Sequence, residues 1–374
     1  MLRIFGNLLK SQGIYRSCAL TSRGVAGRLA GLAKDSSDLN DGRELDRITA
    51  FLHDDLEHLE RVMREAMRSV APVVPAIGEH TFGGGGKRIR PVVVLLAARL
   101  CGYRGPRAIQ IAAAAEYLHS ASLLHDDVVD GAETRRGRPS VNARFGSKLA
   151  ILVGDFLFAR ACQTLVEDGD QDILASFAES IRAMAEGEVV QLTRSFDPDI
   201  TESTYLDIIG GKTSSLLAAS AESGAILGGV TRAERRAVRD YGAQLGLAFQ
   251  LVDDALDYAG QELDLGKPPL TDAAEGKLTL PLIATLKRCS TGEREAVTAM
   301  LKSFALQSAA GRVPDRDEVR RVAECVARHH GVESTFERAR QVCAQARERI
   351  EPFVDCEAKR AMQALADFVV DRRH

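Results

Sequence analysis

The sequence predicts an all-α fold: a large single-domain bundle of long antiparallel helices around a central apolar cavity. Three observations carry this expectation. Apolar residues recur at spacings of three and four, whereas alternation at period two is scarce. Several of these stretches are apolar nearly all round, as helices inside a bundle are. Glycine and proline punctuate the joints between them. The 374 residues, 45% hydrophobic, are ample for a large core and long for one domain.

Taken in order, residues 1–34 differ from everything after them. They hold Arg3, Lys10, Arg16, Arg23, Arg28 and Lys34 and no Asp or Glu, and Leu2, Ile4, Phe5, Leu8 and Leu9 can form one side of an amphipathic helix. That is the composition of a mitochondrial transit peptide, so a mitochondrial location, in the matrix or associated with the inner membrane, is expected. Without those six charges the net falls from −3 to −9. Residues 35–374 read as one all-α domain, with helical patterning from about residue 42. VVVLLAARL, AAAAEYLHSASLLHDD, LAILVGDFLFARACQTL and LLAASAESGAILG are its apolar helices. Joints fall at Gly83 to Gly86, Gly137-Arg138-Pro139, Pro198, Gly210-Gly211, Pro268-Pro269 and Pro281. Ser303 to Arg316 reads as a polar surface loop, and helical patterning resumes at Asp317.

Composition also excludes classes of function. A net charge of −3 leaves no nucleic-acid footprint. Cys18, Cys101, Cys162, Cys289, Cys325, Cys343 and Cys356 are dispersed, which fits reduced core thiols and neither a disulfide framework nor a zinc site. No uninterrupted apolar run approaches the ~20 residues of a membrane span.

Two aspartate clusters of one shape carry the chemistry. Asp126-Asp127-Val128-Val129-Asp130 and Asp253-Asp254-Ala255-Leu256-Asp257 are each D-D-x-x-D on an apolar, helix-like stretch. Residues four apart share a helical face, so Asp126 projects with Asp130 and Asp253 with Asp257. A lone acidic triplet is commonly a solvated helix face; the same triplet twice among leucines and valines is not. Crowded like charges need a cation, and hard carboxylate oxygens suit Mg²⁺, which keeps waters and bridges to phosphates. Two such helices facing each other would clamp a diphosphate through metal ions.

Four basic elements fit the same site. Gly83-Gly84-Gly85-Gly86-Lys87-Arg88-Ile89-Arg90-Pro91 lets backbone approach an anion, with Lys87 and Arg90 three apart; it is no Walker A loop, because Arg88 follows Lys87. Arg135-Arg136 can fork onto different phosphates or form salt bridges to Asp130 or Glu133. Gly210-Gly211-Lys212-Thr213 can mark a helix break with Lys212 at the bend. Gly266-Lys267-Pro268 can close over a filled site or be a plain solvent loop.

Together these motifs, in the order GGGGKRIRP, LLHDDVVDGAETRRGRPS, GGKT, FQLVDDALDY and GKP, resemble the trans-polyprenyl diphosphate synthase family of the farnesyl diphosphate synthase type. The resemblance covers residues 42–374, and its greatest likeness is to mitochondrial long-chain members. It implies that Asp126, Asp127, Asp130, Asp253 and Asp254 bind about three Mg²⁺ on an allylic diphosphate, with Asp257 in support and Mn²⁺ as a substitute. It further implies that Arg135, Lys212 and Lys267 contact that diphosphate, and that Thr213 and Gln250 flank the reacting carbons. Lys87, Arg90, His119 and Arg136 would hold isopentenyl diphosphate. His119 lies about two turns before Asp126 and can share its face; His125 points elsewhere. A homodimer packed through long apolar helices is implied, with a heteromer as the alternative.

Chain length is argued from the residues beneath the first cluster. Ala121 and Ser122 stand one turn deeper than Asp126 and are small, so a growing tail can pass on beyond Ala114 and Tyr117. A product of roughly eight to ten isoprene units is expected where no bulky floor stops it, and with a mitochondrial address that implies the ubiquinone side chain. The competing readings are a short-chain synthase, a silent subunit that would have lost these aspartates, a terpene cyclase with no need for Lys87, Arg90 and His119, and a metal phosphohydrolase built on His125-Asp126.

Overall fold

A computed structural model of the chain describes residues 47–83, 86–135, 137–259 and 271–371. After a helical stretch at residues 47–51 come α1 (His53–Ala66), α2 (Val73–Phe82), α3 (Ile89–Leu100) and α4 (Arg107–Val129). A small hairpin follows, β1 (Thr134–Arg135) with β2 (Arg138–Pro139), antiparallel, pairing Thr134 with Pro139 and Arg135 with Arg138. Then come α5 (Val141–Phe145), α6 (Ser147–Asp168), α7 (Gln171–Thr193), α8 (Glu202–Ile209) and a π-helical turn, Gly210–Ser214. The chain continues through α9 (Ser215–Leu227), α10 (Arg232–Ala259), α11 (Thr271–Ala274), α12 (Leu280–Arg288), α13 (Thr291–Ala309), α14 (Arg316–Arg328), α15 (Gly331–Ile350) and α16 (Glu357–Asp371). The expected leader, residues 1–34, lies outside the described residues.

Local sequence starts several of these helices. Asp170 caps α7 by accepting from the N–H groups of Asp172 and Ile173, and Thr201 caps α8 through Thr204. Ser290 and Glu293 close a reciprocal capping box on α13, and Asp315 caps α14. Each such cap satisfies end donors that have no partner within the helix and contributes about 1 kcal/mol. Pro281 opens α12 where its missing N–H costs nothing.

The core forms around α9. Its Leu216, Leu217, Ala221 and Ala225 are fully or nearly buried. It packs on α3, α7 and α10, and glycine makes two of those approaches feasible. A Cβ on Gly224 would strike the Val94 and Ala98 backbone of α3, and one on Gly242 of α10 would strike the Leu217 carbonyl. One buried carboxylate ties three helices together: Glu222 of α9 accepts from Ser176 of α7 (2.6 Å) and from Arg235 (2.8 Å) and Arg239 (2.5 Å) of α10. A second, smaller core joins α12, α13 and α14 through Leu282, Leu286, Leu301, Phe304 and Val322.

Three expectations need correction or refinement. The polar stretch from Ser303 is not a loop throughout, because α13 runs on to Ala309. Val297, Leu301 and Phe304 give that helix a buried face, and its polar residues lie on the others. The hairpin at 134–139 was hidden by its two-residue strands. Finally, α6 is long and apolar enough to cross a membrane by length and composition alone; Asp155 and Arg160 divide it, so no uninterrupted run reveals it. Only 33% of its apolar window is buried within the chain, and Ile151, Leu152 and Phe158 are exposed on its outer side.

Candidate active site

The two aspartate clusters end up in different surroundings. Asp126 and Asp127 occupy the last turn of α4 and Asp130 is its C-cap. A helix C-terminus is the negative end of the macrodipole, so carboxylates there need cations. Arg135, held on β1, lays its guanidinium across the buried Asp127: Nε is 2.8 and 3.0 Å from the two oxygens and Nη2 is 2.6 Å from Oδ1. Lys277 donates to Asp130 Oδ2 at 3.0 Å and to Glu275 at 2.9 Å. Burial alone would depress the Lys277 ammonium, but Glu275 and Asp130 outweigh it and hold the group above the usual lysine range. The Asp126 carboxyl is pushed up to about 6, by burial first and then by Glu188 and Asp130, against the pull of Lys212 and Arg135.

The second cluster lies in the last two turns of α10. Buried Asp254 accepts from the Tyr205 hydroxyl (2.5 Å) and from Gln250 Nε2 (2.7 Å), and Asp257 accepts from the Asp272 backbone N–H (3.3 Å). These donors are neutral. Burial, reinforced by Asp272, raises both carboxyls, Asp257 to about 7 and Asp254 well above its ordinary value. Asp253 beside them is half-buried.

The π-turn links the clusters. Gly211 lies against the Ala183 carbonyl and Gly187 against the backbone of Lys212 and Ile208, so neither position has room for a Cβ. This close approach turns Lys212 onto α7, with Nζ 2.5 Å from Glu188 and 2.8 Å from Gln191. Its neighbour Thr213 donates to Gln250 Oε1 at 2.8 Å. A chain of hydrogen bonds therefore runs Thr213, Gln250, Asp254, Tyr205, while Lys212 acts electrostatically on Asp126. The break foreseen at Gly210-Gly211 is a π-bulge, a form that recurs at functional sites.

The turn before α3 is fixed by Arg88, in the left-handed region at φ +48°. Its guanidinium reaches Glu116 of α4 (2.8 Å), Glu60 of α1 (2.9 Å) and the Phe82 carbonyl (2.8 Å). Lys87 and Arg90 flank this anchor, and His119 follows Glu116 by three residues on α4. Lys87 Nζ stands 5.0 Å above the Phe368 ring of α16. His125 turns toward α6, with Nε2 3.2 Å from the Ile151 carbonyl and 3.5 Å from Asp155. Arg136 and Lys267 lie outside the described residues. Ala121 is buried, and the half-buried Ser122 returns its hydroxyl to the His119 carbonyl at 2.8 Å. Tyr117, one turn deeper, is fully buried, its hydroxyl 3.5 Å from the Val62 carbonyl and its ring tilted on Phe82.

Sequence reasoning missed Lys277, Tyr205, Glu188, Gln191 and Asp272. Gly276-Lys277 repeats the Gly-Lys pattern of Gly266-Lys267 and could have been found by it; Tyr205 offers no local signal. Elsewhere, Glu293, Cys325 and His329 gather their ligating atoms within 4.8 Å. There Glu293 already closes the Ser290 cap and accepts from His329 at 3.2 Å, which accounts for the cluster as a cap and an ion pair.

The donor set at the two clusters is all hard oxygen, burial and neighbouring carboxylates raise Asp126, Asp254 and Asp257, and cationic side chains rest on Asp127 and Asp130. That chemistry fits a hard divalent ion such as Mg²⁺. Residues 71–310 match the model of the polyprenyl synthetase family. An octaprenyl diphosphate synthase of Haemophilus influenzae is 36% identical over 330 residues, 88% of this chain and 98% of that protein. A short chain isoprenyl diphosphate synthase of Methanothermobacter thermautotrophicus is also 36% identical, over 85% of this chain and 96% of its own, so identity by itself does not separate product lengths. Among solved structures, a polyprenyl synthase of Caulobacter crescentus, complexed with calcium and isoprenyl diphosphate, superposes with a TM-score of 0.82 at 39% identity, covering 88% of this chain and 98% of its own. The chain therefore belongs to the polyprenyl synthetase family and is a prenyltransferase.

Proposed function

We propose that the protein condenses isopentenyl diphosphate head-to-tail with an allylic diphosphate, in a Mg²⁺-dependent reaction, to a long-chain product of roughly C40–C50. The observation that carries this reading is the joining of two carboxylate clusters by basic and amide side chains: Lys277 at Asp130, Arg135 at Asp127, and Lys212-Thr213 between Asp126 and Gln250. Asp126, Asp127, Asp130, Asp253, Asp254 and Asp257 would hold the metal, about three ions, whose chemistry is to neutralise charge growing on the leaving diphosphate. Arg135, Lys212, Lys267 and Lys277 offer charged donors to the allylic diphosphate. Thr213 and Gln250, hydrogen-bonded to each other in the structure, would offer oxygen dipoles to the carbons where positive charge develops. Lys87, Arg90, His119 and Arg136 orient isopentenyl diphosphate so that its double bond attacks C1 of the allylic group. The proton lost on bond formation passes to the departed diphosphate. Apolar walls exclude water, which would otherwise give an alcohol.

Small Ala121 and Ser122 support the long product, and Ala121→Phe is expected to shorten it. The product assay is direct: the purified chain, Mg²⁺, labelled isopentenyl diphosphate and an allylic primer, with products dephosphorylated and sized by mass spectrometry. A ladder ending at a long polyprenol is expected. A stop at fifteen or twenty carbons would keep the chemistry and overturn the assignment of Ala121 and Ser122. No product from folded protein would favour a missing partner subunit. The exposed Ile151, Leu152 and Phe158 of α6 and Val189 and Leu192 of α7 support a homodimer through these faces; Leu152→Glu should yield monomers by sedimentation. The acid-free residues 1–34 support a mitochondrial address and a ubiquinone side chain as the product's fate. Cytosolic fluorescence from a fusion of residues 1–40 to a reporter would exclude that address.

A further inference from the structure

We infer that Phe196 is a positioning residue that sets where Lys277 stands. The inference rests on the reading of the two clusters as the allylic diphosphate site. Phe196 lies just beyond the C-terminus of α7, which carries Glu188 and Gln191, and it is one of three non-glycine described residues with positive φ, at +60°. For a bulky aromatic residue this is an unfavourable backbone state that its surroundings must enforce. Those surroundings are the turn after α11. The Phe196 N–H donates to the Gly276 carbonyl at 2.9 Å. Gly276 is buried and itself at φ +87°, and a Cβ there would collide with the Phe196 ring. The ring also packs on the smaller core of α12–α14. Left-handed backbone at Gly276 and the ring of Phe196 thus interlock.

The clamped turn spans both clusters. At its start the Asp272 N–H donates to Asp257, and at its end Lys277 Nζ donates to Asp130. Within it, the Lys277 N–H returns to the Asp272 carbonyl at 2.8 Å. Lys277 has a long, flexible side chain, so the backbone position beneath it decides which oxygens its ammonium can reach. Phe196 touches none of the aspartates; it acts through the turn. Without the ring, Lys277 keeps its charge and loses its address.

The test is steady-state kinetics on the full-length protein with Mg²⁺, varying the allylic primer and isopentenyl diphosphate separately, for Phe196→Ala, Phe196→Tyr, Lys277→Ala and the Phe196→Ala/Lys277→Ala double variant. Phe196→Ala should raise KM for the primer about tenfold and leave KM for isopentenyl diphosphate within about twofold. Phe196→Tyr, which keeps the ring, should restore the primer KM. The double variant should match Lys277→Ala, because both changes remove one interaction. If Lys277→Ala leaves the primer KM unchanged, the assignment of the diphosphate site fails. If Lys277→Ala raises it and Phe196→Ala does not, or the two effects add in full, the clamp alone fails. Should Phe196→Ala not fold, Gly276→Ala presses on the ring from the opposite side and must give the same selective loss; equal changes in both KM values would overturn the clamp.

Discussion

The two D-D-x-x-D clusters have one sequence pattern and two physical states. At the end of α4, carboxylates are balanced by cations: Arg135 on Asp127 and Lys277 on Asp130. At the end of α10, Asp254 and Asp257 are met by a hydroxyl, a carboxamide and a backbone N–H, and burial with Asp272 raises both carboxyls. The difference teaches that a motif specifies ligands and its neighbours specify their charge. The first cluster is met by cations that a diphosphate can borrow. In the second, Asp254 and Asp257 are held in place by neutral donors.

The largest expected effect asks whether the clusters are equal halves of one site. Asp126→Ala and Asp253→Ala should each lower kcat by about 10³-fold, since each removes charge stabilisation aimed at the leaving group. Circular dichroism should remain unchanged. A loss under about tenfold at Asp253 would make the second cluster a structural feature.

A smaller effect isolates the neutral support of the second cluster. Tyr205→Phe removes the hydroxyl donor to buried Asp254 and should cost about 1–3 kcal/mol in urea unfolding, the penalty of an unsatisfied buried acceptor. An unchanged unfolding midpoint would show that Gln250 alone suffices.

The smallest effect concerns pH. Asp126 is raised to about 6 and Asp257 to about 7, whereas an unfolded carboxyl titrates near its ordinary value. Between these limits the folded chain binds more protons than the unfolded one, so stability is present at low pH and is lost as pH rises through the folded values. The metal-free protein should therefore lose a few degrees of Tm from about pH 4 to 7.5, levelling above that. Mg²⁺ with inorganic diphosphate should restore more Tm at pH 8 than at pH 5.5. A flat metal-free profile would mean that the carboxyls are not raised together.

Much of this arrangement was legible in the chain. The aspartate triplets and the Gly-Gly-Lys-Thr break follow from helical period and short-range spacing, whereas the Thr213–Gln250 neighbourhood, thirty-seven residues apart, was implied only by the family resemblance. The cap residues are equally local: Asp170, Thr201, Ser290 and Asp315 announce helix starts with their own side chains. Tyr205 was illegible because it meets Asp254 forty-nine residues away, and nothing in YLDII distinguishes a core tyrosine from a carboxylate support. The end of α13 was misjudged because polar composition outweighed the buried face of Val297, Leu301 and Phe304.

The sequence by itself determined the elements and the chemical inventory: helices by apolar period, carboxylates in pairs of triplets, cations nearby, small residues beneath the first triplet. These depend on neighbours within a turn or two, where spacing fixes geometry. Only the tertiary structure decided which cation meets which carboxylate, that Asp254 and Asp257 meet neutral donors, and that Phe196 and Gly276 carry Lys277 to Asp130. Those outcomes arise from contacts between helices distant in the chain, where burial and proximity set the energies and sequence spacing carries no information about either.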